Sequence, residues 1–292
     1  MDAVITYVDG NDPAWKRDYE RYTHVPVMEK RYRDWGTLKY LLRGIETCMP
    51  FVRNVYLVVS HESQVPQWAD TANLKIVLHR DIIPEEYLPT FNSTAIEMFL
   101  HKIEGLNEQF IYFNDDMFPV RTCTEEDFFR DGKARLGMTD HLFASGLYKI
   151  QCRNSDRLAR KALGLSPSCL FVRPQHICSP MLRSECENAF RAVTDEVLTS
   201  ISRLREPKNL NQYFYLDYMY HGGKLVAEKI SNKHFSTAVA SAEKISAFIM
   251  EPYRTFCCIN DVRMSEEKFN NMRKAIVEAF EVRFPLKSVF EL

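Results

Sequence analysis

The chain of 292 residues lacks several features that would place it in a common functional class. Its formal net charge is −1, so there is no broad basic surface of the kind that binds nucleic acid. No apolar run approaches the length of about 18 residues that is typical of a membrane span. The first predicted strand begins within three residues of Met1, which leaves no room for a signal peptide. We therefore expect a cytoplasmic protein without a membrane span, peripheral at most to the inner membrane face.

Diagnostic cysteine and glycine patterns are also missing. The eight cysteines include no C-x-x-C pair and no regular spacing, which argues against a disulfide framework or a structural zinc site. There is no G-x-S-x-G, P-loop or G-x-G-x-x-G motif, which disfavours a serine hydrolase, a P-loop NTPase and a dinucleotide oxidoreductase. An apolar content of 46% with 26% charged residues is that of an ordinary globular protein, long enough for one large α/β domain or two modest ones.

Apolar strand-like runs alternate with helical patterns in the first half of the chain. Strands are predicted over residues 3–8, 55–60, 74–78 and 110–113, and helices over 37–49 and from Asn92 or Ser93 to Gly105. After about residue 145 helical patterns dominate, over 155–163, 181–204, 210–220 and from Ser265 to Pro285. The expected fold is α/β, with a mainly parallel sheet covered by helices and a helical subdomain. The predicted divisions are a core at 1–145, the helical subdomain at 146–230, and a segment at 231–292 that returns to the core.

Acidic residues follow three of the apolar runs. Asn114, Asp115 and Asp116 end the run that begins at Phe110, and the sequence Asp9-Gly10-Asn11-Asp12 follows the first strand. Asn260-Asp261 follows a third short run. Adjacent carboxylates repel and are costly to desolvate, so they are expected where they face a cation or polar ligand. Because ligands bind beyond the carboxyl ends of strands in open α/β sheets, the first two loops should meet at one site.

Simpler interpretations of these residues remain open. Asp115 and Asp116 could form a solvated turn, and the Asp9–Asp12 loop also has good turn chemistry. Glu97 and His101 have i, i+4 spacing, for which a solvated helical pair is the favoured interpretation. His176 lies in a loop bounded by prolines, where a lone histidine is usually structural.

The order of the motifs resembles the Stealth family, which includes bacterial capsular polysaccharide phosphotransferases and the α/β subunits of the lysosomal-enzyme N-acetylglucosamine-1-phosphotransferase. Four separated conserved regions define that family, and similar segments occur here in the same order. They are residues 2–13; residues 31–34, 44–46, 88–93 and 113–116; residues 176–180, 205 and 211–213; and residues 258–261 with 284–291. Gly44 departs from the pattern, because serine is commoner there.

This resemblance implies a fold like that of A-type glycosyltransferases and a sugar-1-phosphate transferase activity. A hexose-1-phosphate or N-acetylhexosamine-1-phosphate would pass from a nucleotide-diphospho-sugar, such as a UDP-sugar, to a sugar hydroxyl of a polysaccharide or other glycan acceptor. The products would be a phosphodiester in capsular or exopolysaccharide and a nucleoside monophosphate. The alternatives are a conventional metal-dependent glycosyltransferase that releases nucleoside diphosphate, and a non-catalytic sugar-nucleotide-binding protein.

The same resemblance implies roles for individual residues. Asp116 and Asp261 would hold Mg²⁺ or Mn²⁺, supported by Asn260 at the diphosphate, and Asp115 would support them or serve as the base. Nucleotide or substrate binding is expected of the first acidic loop and of two asparagines, namely Asp9, Gly10, Asn11, Asp12, Asn92 and Asn260. His176 is the preferred general base for the acceptor hydroxyl, because its pKa suits proton removal near neutral pH. Arg205 would contact the transferred phosphate through its planar guanidinium.

Overall fold

The computed structural model describes residues 1–27 and 32–292. Arg31, part of the second region that resembles the Stealth family, lies outside the described residues. The helices of the described chain are α1 (Pro13–Tyr22), α2 (Leu38–Cys48), α3 (His79–Ile82), α4 (Ser93–Glu97), α5 (Gly146–Ala162), α6 (Arg183–Ala192), α7 (Thr194–Ser200), α8 (Tyr213–His221), α9 (Ala242–Met250) and α10 (Glu266–Arg283).

The strands are short and mostly buried. They are β1 (Asp2–Thr6), β2 (Asn54–Val59), β3 (Leu74–Leu78), β4 (Gln109–Asn114), β5 (Met117–Pro119), β6 (Phe129–Arg130), β7 (Lys133–Leu136), β8 (Met138–His141), β9 (Phe171–Pro174), β10 (Ser179–Leu182), β11 (Leu225–Ala227), β12 (Asn232–Ser236) and β13 (Phe256–Asn260). The largest sheet has the order β10-β4-β1-β2-β3 and is rich in parallel strands. The predicted α/β class with a mainly parallel sheet is therefore confirmed.

Smaller sheets complete the strand pairing. The order of one is β11-β7-β6, that of another is β12-β13-β5, and β8 pairs with β9. At the edge of the largest sheet β10 runs antiparallel to β4, with Ser179 opposite Tyr112 and Leu182 opposite Gln109. The helix predicted over 181–204 begins only at Arg183, because Met181 and Leu182 belong to β10, so the prediction was wrong for those two residues.

The chain forms two compact units, each made of separate segments. Unit 1 comprises residues 1–4, 77–112 and 125–230, and unit 2 comprises residues 5–76, 113–124 and 231–292. The predicted helical subdomain at 146–230 is part of unit 1 together with strands of residues 77–112. The predicted boundary at 145 does not separate the units, whereas the change after Ile230 does coincide with one of their boundaries.

In unit 1, the helices α5 and α8 pack closely against each other and against β9. The side of α5 that faces inward carries Gln151, Cys152, Ser155 and Ala159, at the i, i+4 spacing of one helix face. Helix α8 is buried over most of its surface and ends at Gly222-Gly223, as predicted. A helix that is apolar or aromatic almost all round is typical of a core position.

In unit 2, β13 lies between β12, to which it is parallel, and β5, to which it is antiparallel. Helices α9 and α10 pack against each other. The predicted start of the last helix is confirmed, because the Ser265 hydroxyl caps α10 by accepting from the Lys268 N–H at 3.3 Å. Helix α2 packs on β5 at Gly44, where a Cβ atom would lie 2.6 Å from the Pro119 carbonyl oxygen. A side chain at position 44 would therefore require the backbone at Pro119 to shift.

Two other predicted helices differ in length from the observed ones. The helix expected from Asn92 or Ser93 to Gly105 ends at Glu97 and is followed by a 3₁₀ turn over Leu100–Lys102. The helix expected over 155–163 begins earlier, at Gly146. Among the described residues, none of the helices has both the length and the apolar character needed to cross a membrane. All eight cysteines lie in the described part of the chain and none is in a disulfide.

Candidate active site

The loop after β1 is held in place by its own backbone and by Gln64. The Asp12 carboxylate caps α1 and accepts from the Trp15 N–H at 2.7 Å. Gln64 accepts from the Asp9 N–H at 2.6 Å and donates to the Asp9 carbonyl at 3.0 Å. Desolvation opposes the charge on Asp12, but the hydrogen bonds from Trp15, Ser63 and Gln64 outweigh it and lower the pKa of Asp12. Asp12 is therefore a buried structural cap as well as a predicted site residue.

Glycine is required at position 10 of this loop. The Gly10 N–H donates to the Tyr32 carbonyl at 2.6 Å, and a Cβ atom on Gly10 would lie 2.5 Å from the same oxygen. Asn11 is exposed, and its N–H donates to the Asp9 carboxylate at 2.8 Å. The loop thus presents the side chains of Asp9 and Asn11 from a backbone that is fixed at both ends.

Three carboxylates from two separate segments of unit 2 lie around the Tyr7 hydroxyl. Tyr7 forms a hydrogen bond with Asp34, and the negative charges of Asp34, Asp9 and Asp115 add to desolvation in raising its pKa. Desolvation and the charges of Asp116 and Asp34 raise the pKa of Asp115 to about 8. The loops after β1 and β4 therefore lie near each other, and their meeting at one ligand site stays a prediction. We name Asp9, Asp34, Asp115 and Asp116 the acidic cluster.

Asp116 lies where β5 and β13 pair. The Asp116 carbonyl accepts from the Ile259 N–H at 2.9 Å, and the Cys258 thiol is 3.5 Å from Asp116 Oδ2. Its other oxygen, Oδ1, is buried and has no hydrogen-bond partner among the described residues. Desolvation raises the pKa of Asp116 to about 6, aided by the charge of Asp261 and opposed by Cys258 and His234. An unpartnered buried carboxylate oxygen is costly unless a cation or donor binds it.

Asp261 is engaged by an arginine that the sequence analysis did not single out. Arg33 binds it bidentately, with distances of 2.6 Å from Nε to Oδ2 and 2.5 Å from Nη2 to Oδ1. Trp35 Nε1 also donates to Oδ2, at 3.2 Å. The Arg33 guanidinium lies 4.2 Å from the centre of the Phe269 ring. Metal binding by Asp261 stays a prediction, and in this structure the protein itself supplies a positive charge to that carboxylate.

Asn260 stands at the end of β13, as predicted, next to Asp261. Its carbonyl accepts from the Thr237 N–H at 3.1 Å and from the Thr237 hydroxyl at 3.2 Å. The same hydroxyl accepts from the Val262 N–H at 3.1 Å. The backbone on both sides of Asp261 is therefore fixed by one threonine, which orients the carboxylate.

In unit 1, Asn92 holds the segment that carries Arg205. Its Oδ1 accepts from the Thr94 N–H and hydroxyl at 3.2 and 2.8 Å. Its amide nitrogen donates to the Ser202 carbonyl at 3.1 Å and to Asn209 at 3.0 Å. Because the Asn92 side chain is buried and both its amide oxygen and its amide nitrogen have protein partners, the structure favours a positioning role. Direct contact of Asn92 with substrate stays a prediction.

Arg205 is joined through Ser93 to a buried carboxylate. Arg205 Nη2 donates to the Ser93 hydroxyl at 2.5 Å, and Ser93 forms a hydrogen bond with Glu97. Glu97 also accepts from the Gln212 N–H at 2.9 Å. Desolvation raises the pKa of Glu97, against the opposing effects of Gln212 and the charge of Arg205. The favoured interpretation of Glu97 and His101 as a solvated pair was wrong, because both side chains are buried.

His176 is half-buried in the loop between β9 and β10. Its Nδ1 lies 3.1 Å from the Tyr213 hydroxyl, which in turn lies 2.9 Å from the Tyr148 hydroxyl. Desolvation and the positive charge of Arg173 lower the pKa of His176. The imidazole is therefore neutral near pH 7, which is the protonation state that a general base requires.

Sequence reasoning missed several residues that these clusters contain. Arg33 and Asp34 stood within the quoted second region, but they follow no strand and so carried none of the strand-end signal that drew attention to Asp115. Tyr7 lies in a predicted strand, and Tyr213 lies in a predicted helix and in the third region that resembles the family. Both residues make their contacts in these clusters through the hydroxyl group. The spacing of apolar residues along the sequence does not predict the direction of a side-chain hydroxyl.

Comparison with known proteins agrees with the motif order. The profile described as "Stealth protein CR2, conserved region 2" matches residues 31–136. A capsular polysaccharide phosphotransferase, WcwK of Streptococcus pneumoniae, is 31% identical over the full chain and 99% of its own length. The exopolysaccharide phosphotransferase Cps2G of Lactiplantibacillus plantarum is 31% identical over the full chain and 96% of its length. The chain belongs to the Stealth family and is a phosphotransferase.

Among solved structures, the chain is similar to a galactosyltransferase, LgtC, in complex with donor and acceptor sugar analogues. The sequence identity is 10%, the TM-score is 0.46, and the match covers 99% of this chain and 97% of that one. A likeness at this score supports no conclusion about the reaction.

Proposed function

We propose that the protein transfers a hexose-1-phosphate or N-acetylhexosamine-1-phosphate from a nucleotide-diphospho-sugar to a sugar hydroxyl of a glycan. The donor is expected to be a UDP-sugar, and the nucleotide product a nucleoside monophosphate. The full-length similarity to proteins named capsular and exopolysaccharide phosphotransferases supports phosphodiester formation in polysaccharide synthesis. A cytoplasmic enzyme that acts at the inner membrane face fits this role.

The acidic cluster is the observation that carries the proposal. Desolvation and the charges of Asp116 and Asp34 raise the pKa of Asp115, and Asp116 Oδ1 is buried without a partner among the described residues. An arrangement of this kind is stabilised when a divalent cation replaces the missing positive charge. Oxygen ligands are those that Mg²⁺ and Mn²⁺ prefer, so the donor set fits either ion.

We assign the groups of unit 2 to the donor. Asp116 would bind the cation, with Asp261 as the second predicted ligand and Asp115 in support. The bound ion would neutralise charge on the diphosphate oxygens. Asp9 and Asn11 extend from the fixed loop after β1 toward polar groups of the nucleotide, and Asn260 supports the diphosphate. Arg33 adds a fixed positive charge and orients Asp261 through its bidentate contact.

We assign the groups of unit 1 to the acceptor and the transferred phosphate. His176 would accept the proton of the attacking hydroxyl, which its neutral state permits. Arg205 would bind phosphate oxygens, and Asn92 would hold the segment that carries it. Asp115, with its pKa raised to about 8, is the second candidate for the base.

Identification of the nucleotide product tests the reaction. UDP-, GDP- and CDP-sugars would be incubated separately with the enzyme and a glycan acceptor, and the nucleotides separated by ion-exchange chromatography. Nucleoside monophosphate should appear in equal amount with the phosphodiester. Release of nucleoside diphosphate would show that the sugar–oxygen bond is broken and would contradict the proposal.

An isosteric substitution tests the cation site. Asp116→Asn should reduce kcat by far more than tenfold, because a neutral amide offsets less cation charge than a carboxylate does. Glu278→Gln is the matched control, since Glu278 is exposed on α10 and forms a long ion pair of 3.9 Å with Lys274. EDTA should inhibit the wild type, and Mg²⁺ or Mn²⁺ should restore activity. A variant with activity within tenfold of the wild type would remove Asp116 from the site.

A further inference from the structure

Helix α5 concentrates positive charge in a chain whose net charge is −1. It has five basic residues and one acidic residue, Asp156, which is buried. Three of the basic residues, Lys149, Arg153 and Arg157, form no ion pair with a described residue. Arg157 is exposed, and the other two are half-buried. We name these three residues the basic stripe.

The basic stripe lies along one side of α5. Its members are four residues apart, and the buried face of the helix is formed by other positions, among them Gln151, Cys152, Ser155 and Ala159. At about 1.5 Å per residue, the stripe is about 12 Å long. Like charges four residues apart destabilise a helix slightly, so the stability of α5 does not account for them. Unpaired cations at this spacing are suited to an anionic ligand.

The remaining basic residues of α5 differ from the stripe in their partners. Arg160 pairs with the buried Asp156 at 3.2 Å, and Lys161 pairs with Glu196. The basic stripe is therefore the part of this helix whose charge the described chain leaves uncompensated.

Within the stripe, Arg153 has an unsatisfied donor. Its Nε is buried and has no hydrogen-bond partner among the described residues. A guanidinium that lacks a carboxylate partner gains charge-assisted hydrogen bonds when it binds an anion, and its planar shape suits two phosphate oxygens at once.

The stripe begins beside the candidate general base. Tyr148 precedes Lys149 on α5, and the centre of its ring lies 6.0 Å from that of His176. Tyr148 is also 40% exposed, so its ring offers an apolar surface on which a sugar can pack. A glycan whose terminal hydroxyl is at His176 could therefore extend along α5.

The same helix holds the segment that follows Arg205, the residue assigned to the transferred phosphate. Gln151 donates to the Glu206 carbonyl at 3.0 Å, and Asn154 donates to the Pro207 carbonyl at 2.8 Å. Helix α5 thus joins the basic stripe to both groups of unit 1 that we assigned to the acceptor and the transferred phosphate.

Charge complementarity identifies the ligand as an anionic chain. Each transfer in the proposed reaction adds one phosphodiester, which is negatively charged, so an extended glycan is a polyanion whereas a single sugar acceptor is neutral. We propose that the basic stripe binds phosphodiester groups of the growing glycan and makes the enzyme selective for an extended, anionic acceptor. This inference rests on the proposed function, because that reaction creates the phosphodiesters.

Two variants remove or reverse charge in the stripe. The combination of Lys149→Gln, Arg153→Gln and Arg157→Gln removes three positive charges and keeps long side chains that favour a helix. The single substitution Arg157→Glu acts at the exposed position, where it leaves the packing of α5 intact. It keeps the test valid if thermal melting shows that the triple variant is unfolded.

A matched control removes the same charge from unit 2. It combines Lys244→Gln on α9 with Lys268→Gln and Lys274→Gln on α10, and all three lysines are exposed. Any effect of net charge alone should appear equally in the control and in the triple variant.

Fluorescence anisotropy measures binding without turnover. The probe is a labelled, short synthetic oligomer of hexose-1-phosphate units joined by phosphodiesters, and a neutral glucan oligomer of the same length is its control. The wild type should bind the charged oligomer with an affinity that falls as NaCl is added, and both stripe variants should bind it about tenfold or more weakly. The matched control should bind it as the wild type does. Equal binding by the wild type and both stripe variants would overturn the inference.

Anionic vesicles test the other surface that a basic helix can bind. The wild type and the triple variant should sediment equally with vesicles of phosphatidylglycerol and phosphatidylcholine. If the stripe variants lose vesicle binding and keep binding of the charged oligomer, the stripe is a membrane contact and the inference is wrong.

Kinetics separate this inference from the proposed function. With the charged oligomer as acceptor, the triple variant should raise the KM for the acceptor about tenfold while kcat and the KM for the donor stay near wild-type values, because the stripe acts in binding. With a single neutral sugar as acceptor, the two proteins should be equal. Normal turnover with an unchanged acceptor KM would refute this inference alone. If the wild type releases no nucleoside monophosphate from any donor, the proposed function fails, and the anisotropy still decides whether the stripe binds phosphodiesters.

Discussion

Asp217 on α8 is a buried carboxylic acid that the packing of unit 1 leaves without hydrogen bonds. Both of its oxygens are buried and unpartnered among the described residues, and the side chain has no exposed area. Its neighbour Asp156 has partners at both oxygens, including His221 at 2.7 Å and Arg160 at 3.2 Å. Desolvation and the charge of Asp156 raise the pKa of Asp217 well above its usual value, against the opposing charge of Arg160.

The sign and size of the effect on stability follow from proton binding. In the folded state Asp217 binds a proton at pH values where the same side chain in the unfolded state, with its ordinary pKa of 3.8, is ionised. Stability therefore falls as pH rises above that value. If the folded carboxyl is fully protonated at pH 7, about three pH units at about 1.4 kcal/mol each give a penalty of about 4 kcal/mol as an upper limit. Asp217→Asn removes the penalty and should stabilise the protein by up to this amount at neutral pH.

Urea unfolding of the wild type and the variant at pH 7 and near pH 4 measures this difference. The gain from Asp217→Asn should be largest at pH 7 and nearly vanish at the lower pH, where the unfolded aspartate also binds its proton. Asp156→Asn is the matched control and should destabilise by about 3 kcal/mol, because the neutral amide removes the counter-charge of Arg160 and keeps only one of the two acceptor oxygens. A destabilised Asp217→Asn protein, or a gain that is equal at both pH values, would refute the reasoning.

Three further predictions concern other parts of the chain. Arg205→Lys should lower kcat strongly with little change in the thermal melting curve, because lysine keeps the charge but lacks the planar guanidinium that can bind two phosphate oxygens. A near wild-type kcat would remove Arg205 from the phosphate site. Gly44→Ala should destabilise by about 1–3 kcal/mol in urea unfolding, since its Cβ would meet the Pro119 carbonyl at 2.6 Å; a more stable variant would contradict this packing. Asn92→Ala should cost about 2 kcal/mol through the lost cap and the lost contacts to the Arg205 segment, and an unchanged unfolding midpoint would exclude that role.

Local patterns were sufficient to predict several elements. The apolar run before Asp115 and Asp116 predicted a buried strand ending in carboxylates, and β4 has that form. Ser265 and Pro285 predicted the limits of α10, because a capping hydroxyl and a proline act within one helical turn. The family and the α/β class could likewise be inferred from residues that lie together in the chain.

Other elements form only because the folded chain supports them. The strands β5 and β10 have three and four residues, and each is defined by its partner strand. Helix α4 ends at Glu97 although the apolar spacing continues, and the Glu97 carboxylate accepts from the Gln212 N–H and the Tyr112 hydroxyl. Helical periodicity records which face is apolar, and it contains no information about a distant partner.

The identity of the acidic side chains was determined by the sequence, and their partners were decided by the tertiary structure. Arg33 reaches Asp261 across 228 residues of chain, and Tyr213 reaches His176 across 37. Side-chain hydrogen bonds act over about 3 Å, so they depend on how the backbone brings distant segments together. The sequence alone therefore predicted which residue types are candidates for the chemistry, whereas only the fold placed Arg33 against Asp261 and left Asp116 Oδ1 unpartnered among the described residues.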